Sequence, residues 1–155
     1  MNNLTLHSAR MRMHKTDGCW PLASLARITV EIEMDVGSFF AAHYHRPESD
    51  DVGDCEIYQL VSESPASTLR IFLRKSGEMY WEETQISLSS PWVFIPPGWQ
   101  HGGLLVGEHP IVFHAHTRAS HTRPGEEDGN VIWLPDDEQP RDIRSAMESF
   151  RRKEV

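Results

Sequence analysis

The chain has 155 residues, the usual length of one domain. A chain of this length can bury a core without disulfide bonds or a structural metal ion, so a bound metal ion would serve chemistry rather than folding. Its 15 Lys and Arg stand against 23 Asp and Glu, and the net charge of -8 argues against a nucleic-acid partner because an acidic surface repels phosphate backbones. The absence of a signal peptide and of a membrane-spanning apolar run predicts a cytoplasmic protein with no membrane partner and with reduced thiols at Cys19 and Cys55.

Short apolar stretches separated by turn residues run from Leu4 to about Gln100, a spacing that predicts antiparallel strands in a sandwich or barrel. Residues 25–34 alternate apolar and polar side chains, as a half-buried strand does. The other predicted strands are Cys55–Val61, Thr68–Arg74, Glu78–Glu83, Pro91–Ile95 and Pro110–His116. Residues 62–67 predict a hairpin-type connection.

The last part of the chain changes character. Residues 118–130 are rich in glycine, charge and histidine and predict a loop. Pro140 suits the first position of a helix, after which Ile143, Met147 and Phe150 share one face. We expect this helix to pack on the outside of the barrel, with a contact to a partner subunit as the alternative. The whole chain is expected to form a single domain, 1–155, with a barrel core at about 20–117 and the loop and helix at about 118–155.

The triplet His43-Tyr44-His45 is the first candidate for a functional site. Residues i and i+2 point to the same face of a strand, whereas on a helix they diverge by about 200°. Two such histidines can therefore chelate one metal ion only if the segment is extended, and the alternation of residues 37–45 favours an extended segment.

Two further residues extend the candidate site. Glu56 opens an apolar strand, where a buried carboxylate is costly unless a cation compensates it; a glutamate that points to solvent is the alternative. His101 follows Pro96-Pro97-Gly98, a stiff turn that would fix the direction of the histidine, although a histidine exposed in a glycine-flanked loop is also possible.

These residues resemble the two signature motifs of the cupin superfamily, G-x5-H-x-H-x3-4-E-x6-G and G-x5-P-x-G-x2-H-x3-N. The chain reads Gly37-x5-His43-x-His45, then Glu56-x6-Glu63, and later Ser90-x5-Pro96-x-Gly98-x2-His101, with Leu105 at the place of the final Asn. Ten residues, instead of three or four, separate His45 from Glu56. This insert makes Glu48, Asp50, Asp51 and Asp54 rival carboxylates; it reads as a solvated acidic loop, with a lid over the barrel mouth as the alternative.

The resemblance implies an all-β fold, the double-stranded β-helix or jelly roll, with a short C-terminal α-helix outside it. It also implies a divalent metal ion held by His43, His45, Glu56 and His101, with coordination positions open to water or substrate. A mixed nitrogen and oxygen ligand set suits Fe, Mn, Ni or Zn without selecting one of them. Small barrels of this kind often pair through their sheet edges, and we expect a homodimer.

Three functions remain open from the sequence. One pattern is similar in its spacing to cupin-type phosphoglucose isomerases: His43-Tyr44-His45, then Glu56-Ile57-Tyr58, then Pro96-Pro97 to His101. This similarity favours an isomerase or lyase that acts on a small oxygen-rich molecule, such as a sugar, sugar phosphate or keto acid. The alternatives are a non-haem Fe(II) dioxygenase and a non-catalytic module that binds a small molecule.

Candidate acid or base residues in such a reaction are His114, His116 and Tyr58. Tyr58 shares a strand face with Glu56 and is expected to reach the pocket. His114 and His116 share a face of their own strand, and alternation alone leaves open whether that face lines the barrel or points outward. Apolar pocket walls would favour the dioxygenase, and the sequence offers Phe39, Trp92, Phe94 and Trp99 for them.

Overall fold

Ten strands form two antiparallel sheets in the part of the chain that the structure describes. The computed structural model describes residues 9–15, 28–45, 56–62, 65–117 and 131–153, with the backbone alone for 9–15. The strands are β1 Ala9–Lys15, β2 Ile28–Met34, β3 Phe39–His45, β4 Glu56–Leu60, β5 Ser67–Arg74, β6 Glu82–Ile86, β7 Trp92–Ile95, β8 Gln100–Gly107, β9 Ile111–Thr117 and β10 Val131–Trp133, followed by helix α1, Arg141–Lys153. One sheet has the order β1-β2-β9-β4-β7 and the other β10-β3-β8-β5-β6. This architecture confirms the predicted double-stranded β-helix with a short C-terminal helix.

The inner faces of the two sheets meet in one apolar core. Strand β2 shows the predicted alternation, since Val30, Ile32 and Met34 pack into the core while Glu31 and Glu33 belong to the opposite face. The core residues of β4, β5, β7 and β9 follow the same period of two, and the core cluster includes Tyr58, Leu69, Ile71, Ile95, Leu105 and Phe113. Burial of this apolar surface is the main force that holds the two sheets together.

Helix α1 covers the outer face of the sheet that contains β3 and β8. Ile143 and Met147 are buried against Phe39 and Phe72, and Phe150 meets Phe39 edge to face with ring centroids 6.1 Å apart. The predicted apolar helix face and its packing outside the barrel are therefore confirmed. No helix within the described ranges combines the length and hydropathy that crossing a bilayer requires.

Two details of the predicted strands are wrong. Strands β4 and β5 lie in different sheets, so the segment between them is not a hairpin. The predicted strand 78–83 is displaced to Glu82–Ile86, because Met79 and Tyr80, which follow the turn at Gly77, are exposed instead of paired. Strand β1 precedes the range 20–117 expected for the barrel core and β10 follows it; each is an edge strand of its sheet.

Candidate metal centre

Three histidine side chains meet inside the barrel where β3 pairs with β8. His101 lies directly opposite His43 in the antiparallel ladder, and their ring centroids are 4.4 Å apart. His45 is two residues further along β3, with its ring centroid 5.6 Å from that of His101. One ring nitrogen from each residue lies within 4.8 Å of the other two. These three buried histidines could therefore hold one metal ion.

Glu56 reaches the same place from β4, which belongs to the opposite sheet. Its Oε2 atom lies 3.0 Å from Nε2 of His101 and 3.3 Å from Nε2 of His45. The residue is only 4% exposed, so the carboxylate points inward instead of toward solvent. The structure thus brings together all four predicted ligands. The rival carboxylates of the acidic insert 46–54 lie outside the described residues.

Backbone carbonyls orient two of the imidazole rings. Nδ1 of His43 donates to the carbonyl oxygen of Ala41 at 2.9 Å, and Nδ1 of His101 donates to that of Trp99 at 3.0 Å. A carbonyl oxygen can only accept, so Nδ1 carries a proton in both rings, and in a neutral imidazole with this tautomer Nε2 is the nitrogen that offers a lone pair. Hydrogen bonding of the non-ligating nitrogen is the usual way in which proteins orient histidine ligands.

The turn before β8 places His101 as its sequence predicts. Gly98 adopts a positive φ of 74°, and the backbone N–H of Trp99 donates to the carbonyl oxygen of Pro96 at 3.2 Å. His101 is 1% exposed and lies within strand β8, so the alternative of a histidine in an exposed glycine-flanked loop is wrong.

The electrostatics of the cluster suit a cation. Burial, together with repulsion from His101 and His45, lowers the pKa of His43 well below its usual 6.5, which keeps this imidazole neutral as metal ligation requires. Nε2 of His101 is buried and, among the described residues, has no hydrogen-bond partner of adequate geometry despite its approach to Glu56. A metal ion bound at this nitrogen would compensate its desolvation, so the donor set fits such an ion.

Tyr58 lies beside the cluster, as predicted from the face it shares with Glu56. Its ring meets that of His101 at a centroid distance of 6.0 Å, and its hydroxyl is hydrogen-bonded to Glu56. Burial, the negative charge of Glu56 and this hydrogen bond raise the pKa of Tyr58 well above its usual 10.0. At neutral pH the phenol therefore keeps its proton and donates a hydrogen bond to the carboxylate.

His114 and His116 are not brought to the cluster. On β9 the residues that pack in the core are Phe113 and Ala115, so the two histidines belong to the opposite face of the strand. Of the two interpretations left open by the sequence, the structure supports the outward one, so His114 and His116 are not placed to act as acid or base groups at the cluster.

Both rings have partners on that outer face. Nε2 of His114 lies 3.3 Å from Oε2 of Glu31. The two ring nitrogens of His116 are hydrogen-bonded to the hydroxyl of Thr29 at 2.8 Å and to Oε1 of Gln59 at 3.1 Å. These contacts join β9 side by side to β2 and β4, which is a structural role.

The aromatic surroundings of the cluster differ from those expected. Phe39 packs under α1, and Trp92 and Phe94 lie on the outer face of β7, where Phe94 is 51% exposed. These three residues therefore do not line the barrel interior, and of the four expected walls only Trp99 packs against the core.

The aromatic residues that do adjoin the histidines come from other places. Phe40 lies 6.2 Å from His43 between ring centroids, and Trp133 of β10 lies 4.6 Å from His43. Neither was predicted from the sequence as a neighbour of the histidines, although the apolar triplet Val131-Ile132-Trp133 after the polar loop is a signal for the second.

No protein-family model and no curated protein sequence matches the chain. Solved structures do resemble it. Oxalate oxidase in complex with the substrate analogue glycolate matches with a TM-score of 0.57 and 14% identity over 99% of this chain and 75% of that chain. A variant of oxalate decarboxylase from Bacillus subtilis matches with a TM-score of 0.57 and 11% identity over 86% of this chain, which spans only 30% of that chain.

A third match bears a different kind of name. Peruvianin-I, a cysteine peptidase from Thevetia peruviana latex, has a TM-score of 0.54 and 13% identity over 82% of this chain and 69% of that chain. At these identities the likeness concerns the fold alone, and the variety of named activities shows that the fold does not select a reaction. The chain has the cupin fold, a double-stranded β-helix shared with these proteins.

Proposed function

We propose that this protein is a metal-dependent enzyme whose divalent ion is held by His43, His45, Glu56 and His101. The proposal rests on one observation: these four side chains converge inside the barrel from three strands, with two imidazoles held by backbone carbonyls so that Nε2 faces the cluster. A site assembled from four buried polar groups is costly to fold unless the groups have a common partner.

The reaction class that we propose is isomerisation or lyase chemistry on a small oxygen-rich molecule, such as a sugar, sugar phosphate or keto acid. A divalent ion in this site would polarise a carbonyl or stabilise an enolate oxygen of such a substrate. Three neutral imidazoles and one carboxylate leave a divalent ion with net positive charge, which favours oxygen ligands from the substrate. Two of the structural neighbours, oxalate oxidase and oxalate decarboxylase, are named for a small molecule of this kind.

In this site Tyr58 has an orienting role. Because its phenol stays protonated and hydrogen-bonded to Glu56, it holds the carboxylate in place and is a poor proton acceptor. Removal of the hydroxyl in Tyr58→Phe is expected to weaken metal binding while the barrel stays folded.

The second candidate is a non-haem Fe(II) dioxygenase, and the aromatic interior favours it. Phe40, Tyr58 and Phe113 contact one another next to the histidines, with ring centroids 5.2 to 6.2 Å apart. Such walls exclude water and suit reactive oxygen chemistry. The third possibility, a binding module without catalysis, shares the same ligand set.

The test begins with the metal content of protein purified without chelators. The protein is then freed of metal and reloaded separately with Fe(II), Mn(II), Ni(II) or Zn(II). Turnover of a panel of sugars, sugar phosphates and keto acids is measured with and without dioxygen. Turnover without dioxygen supports the isomerase or lyase, whereas turnover that needs Fe(II) and dioxygen supports the dioxygenase. Equal turnover by metal-free and loaded protein would refute a metal-dependent enzyme.

The ligand assignment has its own test. His101→Ala should lose metal loading and retain a folded barrel by circular dichroism. His109→Ala, a change of the same kind at an exposed residue in the turn before β9, is the matched control and should load metal as the unaltered protein does. Undiminished loading of His101→Ala would show that the assignment is wrong.

A further inference from the structure

A β-bulge lies directly before the first histidine of the cluster. The pairing of β3 with β8 shifts between Phe40 and His43, so that Ala41 and Ala42 together face the single residue Gly102. Phe40 and His43 are three residues apart and would point to opposite faces of a regular strand. With the bulge, both side chains enter the barrel. The direction of His43 therefore depends on the bulge.

One buried side chain holds the backbone of this bulge. Oε1 of Gln139 accepts a hydrogen bond from the N–H of Ala42 at 2.7 Å, and its Nε2 donates to the carbonyl oxygen of Ala42 at 3.1 Å and to that of Leu134 at 3.0 Å. Gln139 is 3% exposed. Strand β10 ends at Trp133, the N–H of Leu134 also donates to the carbonyl oxygen of Ala42 at 3.0 Å, and the Gln139 amide extends this pairing beside β3.

The same peptide unit joins Gln139 to His43. The N–H of Ala42 and the carbonyl of Ala41 belong to one planar peptide. Gln139 holds the N–H end of that plane, and its carbonyl end accepts the hydrogen bond from Nδ1 of His43 at 2.9 Å. A rotation of the plane would move the carbonyl that fixes the tautomer and direction of the imidazole.

We infer that Gln139 is a positioning residue for the metal centre, acting on His43 through the Ala41–Ala42 peptide. The inference rests on the proposed metal site for its functional meaning, but the positioning of His43 can be measured without metal. A residue that merely anchored the segment before α1 would affect stability and leave the His43 ring unchanged, and this difference makes the role testable.

The test compares full-length Gln139→Met with Glu138→Gln. Methionine has nearly the volume of glutamine but forms none of the three hydrogen bonds. Glu138→Gln is the matched control, because Glu138 is the preceding residue and its side chain pairs with Arg74 of β5, at 3.3 Å. Gln139→Asn, which is one methylene shorter, serves as a second variant in case the methionine variant does not fold.

The first measurement uses metal-free protein above pH 7. Imidazole-optimised 15N NMR reports whether Nδ1 of His43 carries the proton and how fast that proton exchanges, together with exchange of the Ala42 amide. In Gln139→Met and Gln139→Asn we expect faster exchange at both positions and loss of a single His43 tautomer, with Glu138→Gln unchanged. An unaltered Nδ1 proton on His43 in a folded Gln139 variant would overturn the inference.

The second measurement is Co(II) affinity by titration of the absorption bands. Loss of a hydrogen bond that orients a ligand typically weakens metal binding about 10–100-fold, and we expect at least about a tenfold rise in Kd for the Gln139 variants. If a Gln139 variant binds Co(II) with an unchanged Kd although its His43 tautomer or proton exchange is altered, Gln139 does not position His43 for metal binding. Failure of the unaltered protein to bind Co(II) would refute the proposed function instead, while the NMR result would still decide whether Gln139 positions His43.

Discussion

Gly103 of β8 faces the ring of Phe40, and this contact leaves no room for a methyl group. A Cβ atom at position 103 would lie 2.2 Å from Cε1 and 2.5 Å from Cζ of Phe40. Carbon atoms pack at about 3.5 Å or more, so the ring would have to move by about 1.3 Å, the difference between 3.5 and 2.2 Å. Tyr58 and Phe113 flank the ring at centroid distances of 5.9 and 6.2 Å and limit that movement. We therefore expect Gly103→Ala to lower the free energy of unfolding by about 1–3 kcal/mol, the usual cost of overpacking.

A double-mutant cycle tests this explanation. Phe40→Leu removes the ring atoms that the new methyl group would meet, so Gly103→Ala should cost at least about 1 kcal/mol less in the Phe40→Leu background. Urea unfolding of the four proteins, followed by circular dichroism and tryptophan fluorescence, gives the required free energies. An equal cost in both backgrounds, or no cost in either, would show that the close approach of Gly103 to Phe40 does not constrain the core.

Three other changes follow from the structure. Ile143→Ala removes a fully buried side chain between α1 and the sheet and should lower the free energy of urea unfolding by about 2–5 kcal/mol. A loss below about 1 kcal/mol would mean that packing of the helix contributes little to the stability of the fold. Arg70→Met removes ion pairs with Glu83 at 2.6 Å and Asp142 at 2.7 Å. Since both carboxylates are about half exposed, we expect a loss of only about 0.5–1 kcal/mol, and a loss that persists in about 1 M NaCl would not be electrostatic. Folding lowers the pKa of His43, so below about pH 6.5 the unfolded chain binds a proton there and the folded chain does not. The metal-free protein should therefore lose thermal stability as the pH falls from about 6.5. A constant Tm down to about pH 5 would contradict this.

The fold and the four candidate ligands could be predicted because their signals are local. The two-residue period places His43 and His45 on one face of β3, and the same period places Glu56 and Tyr58 on one face of β4. The turn ending at Gly98 needs a positive φ that glycine supplies. The predicted homodimer and cytoplasmic location have no such local signal in the described residues and stay predictions.

Strand β8 was missed because its glycines resemble a loop. They are required there by close packing, since a Cβ at Gly102 would lie 2.8 Å from Cδ1 of Ile143 and 3.0 Å from the backbone nitrogen of Ala42. Glycine in a strand commonly marks such a close approach, but the sequence does not reveal which neighbour makes it necessary. The neighbours come from a bulge and a helix that are distant along the chain.

The inward or outward direction of β9 could not be predicted for a similar reason. Alternation separates His114 and His116 from Phe113 and Ala115, but both faces contain side chains that suit a pocket. The pairing with neighbouring strands decides the matter, since Glu31 of β2 stands opposite His114 and the core residue Tyr58 of β4 stands opposite Ala115. Register is a property of two strands together, and a single strand's pattern does not contain it.

The candidate centre also depends on the distance between the two sheets. His43, His45 and His101 belong to one sheet, whereas Glu56 belongs to the other, and Oε2 of Glu56 approaches the histidine nitrogens to 3.0 and 3.3 Å across the interior. The aromatic ring of Phe40 packs between the sheets next to His43 and sets their separation at this point. A core substitution that displaces this ring would thus move a carboxylate relative to three imidazoles. Packing of the core and geometry of the candidate metal site therefore depend on each other in this protein.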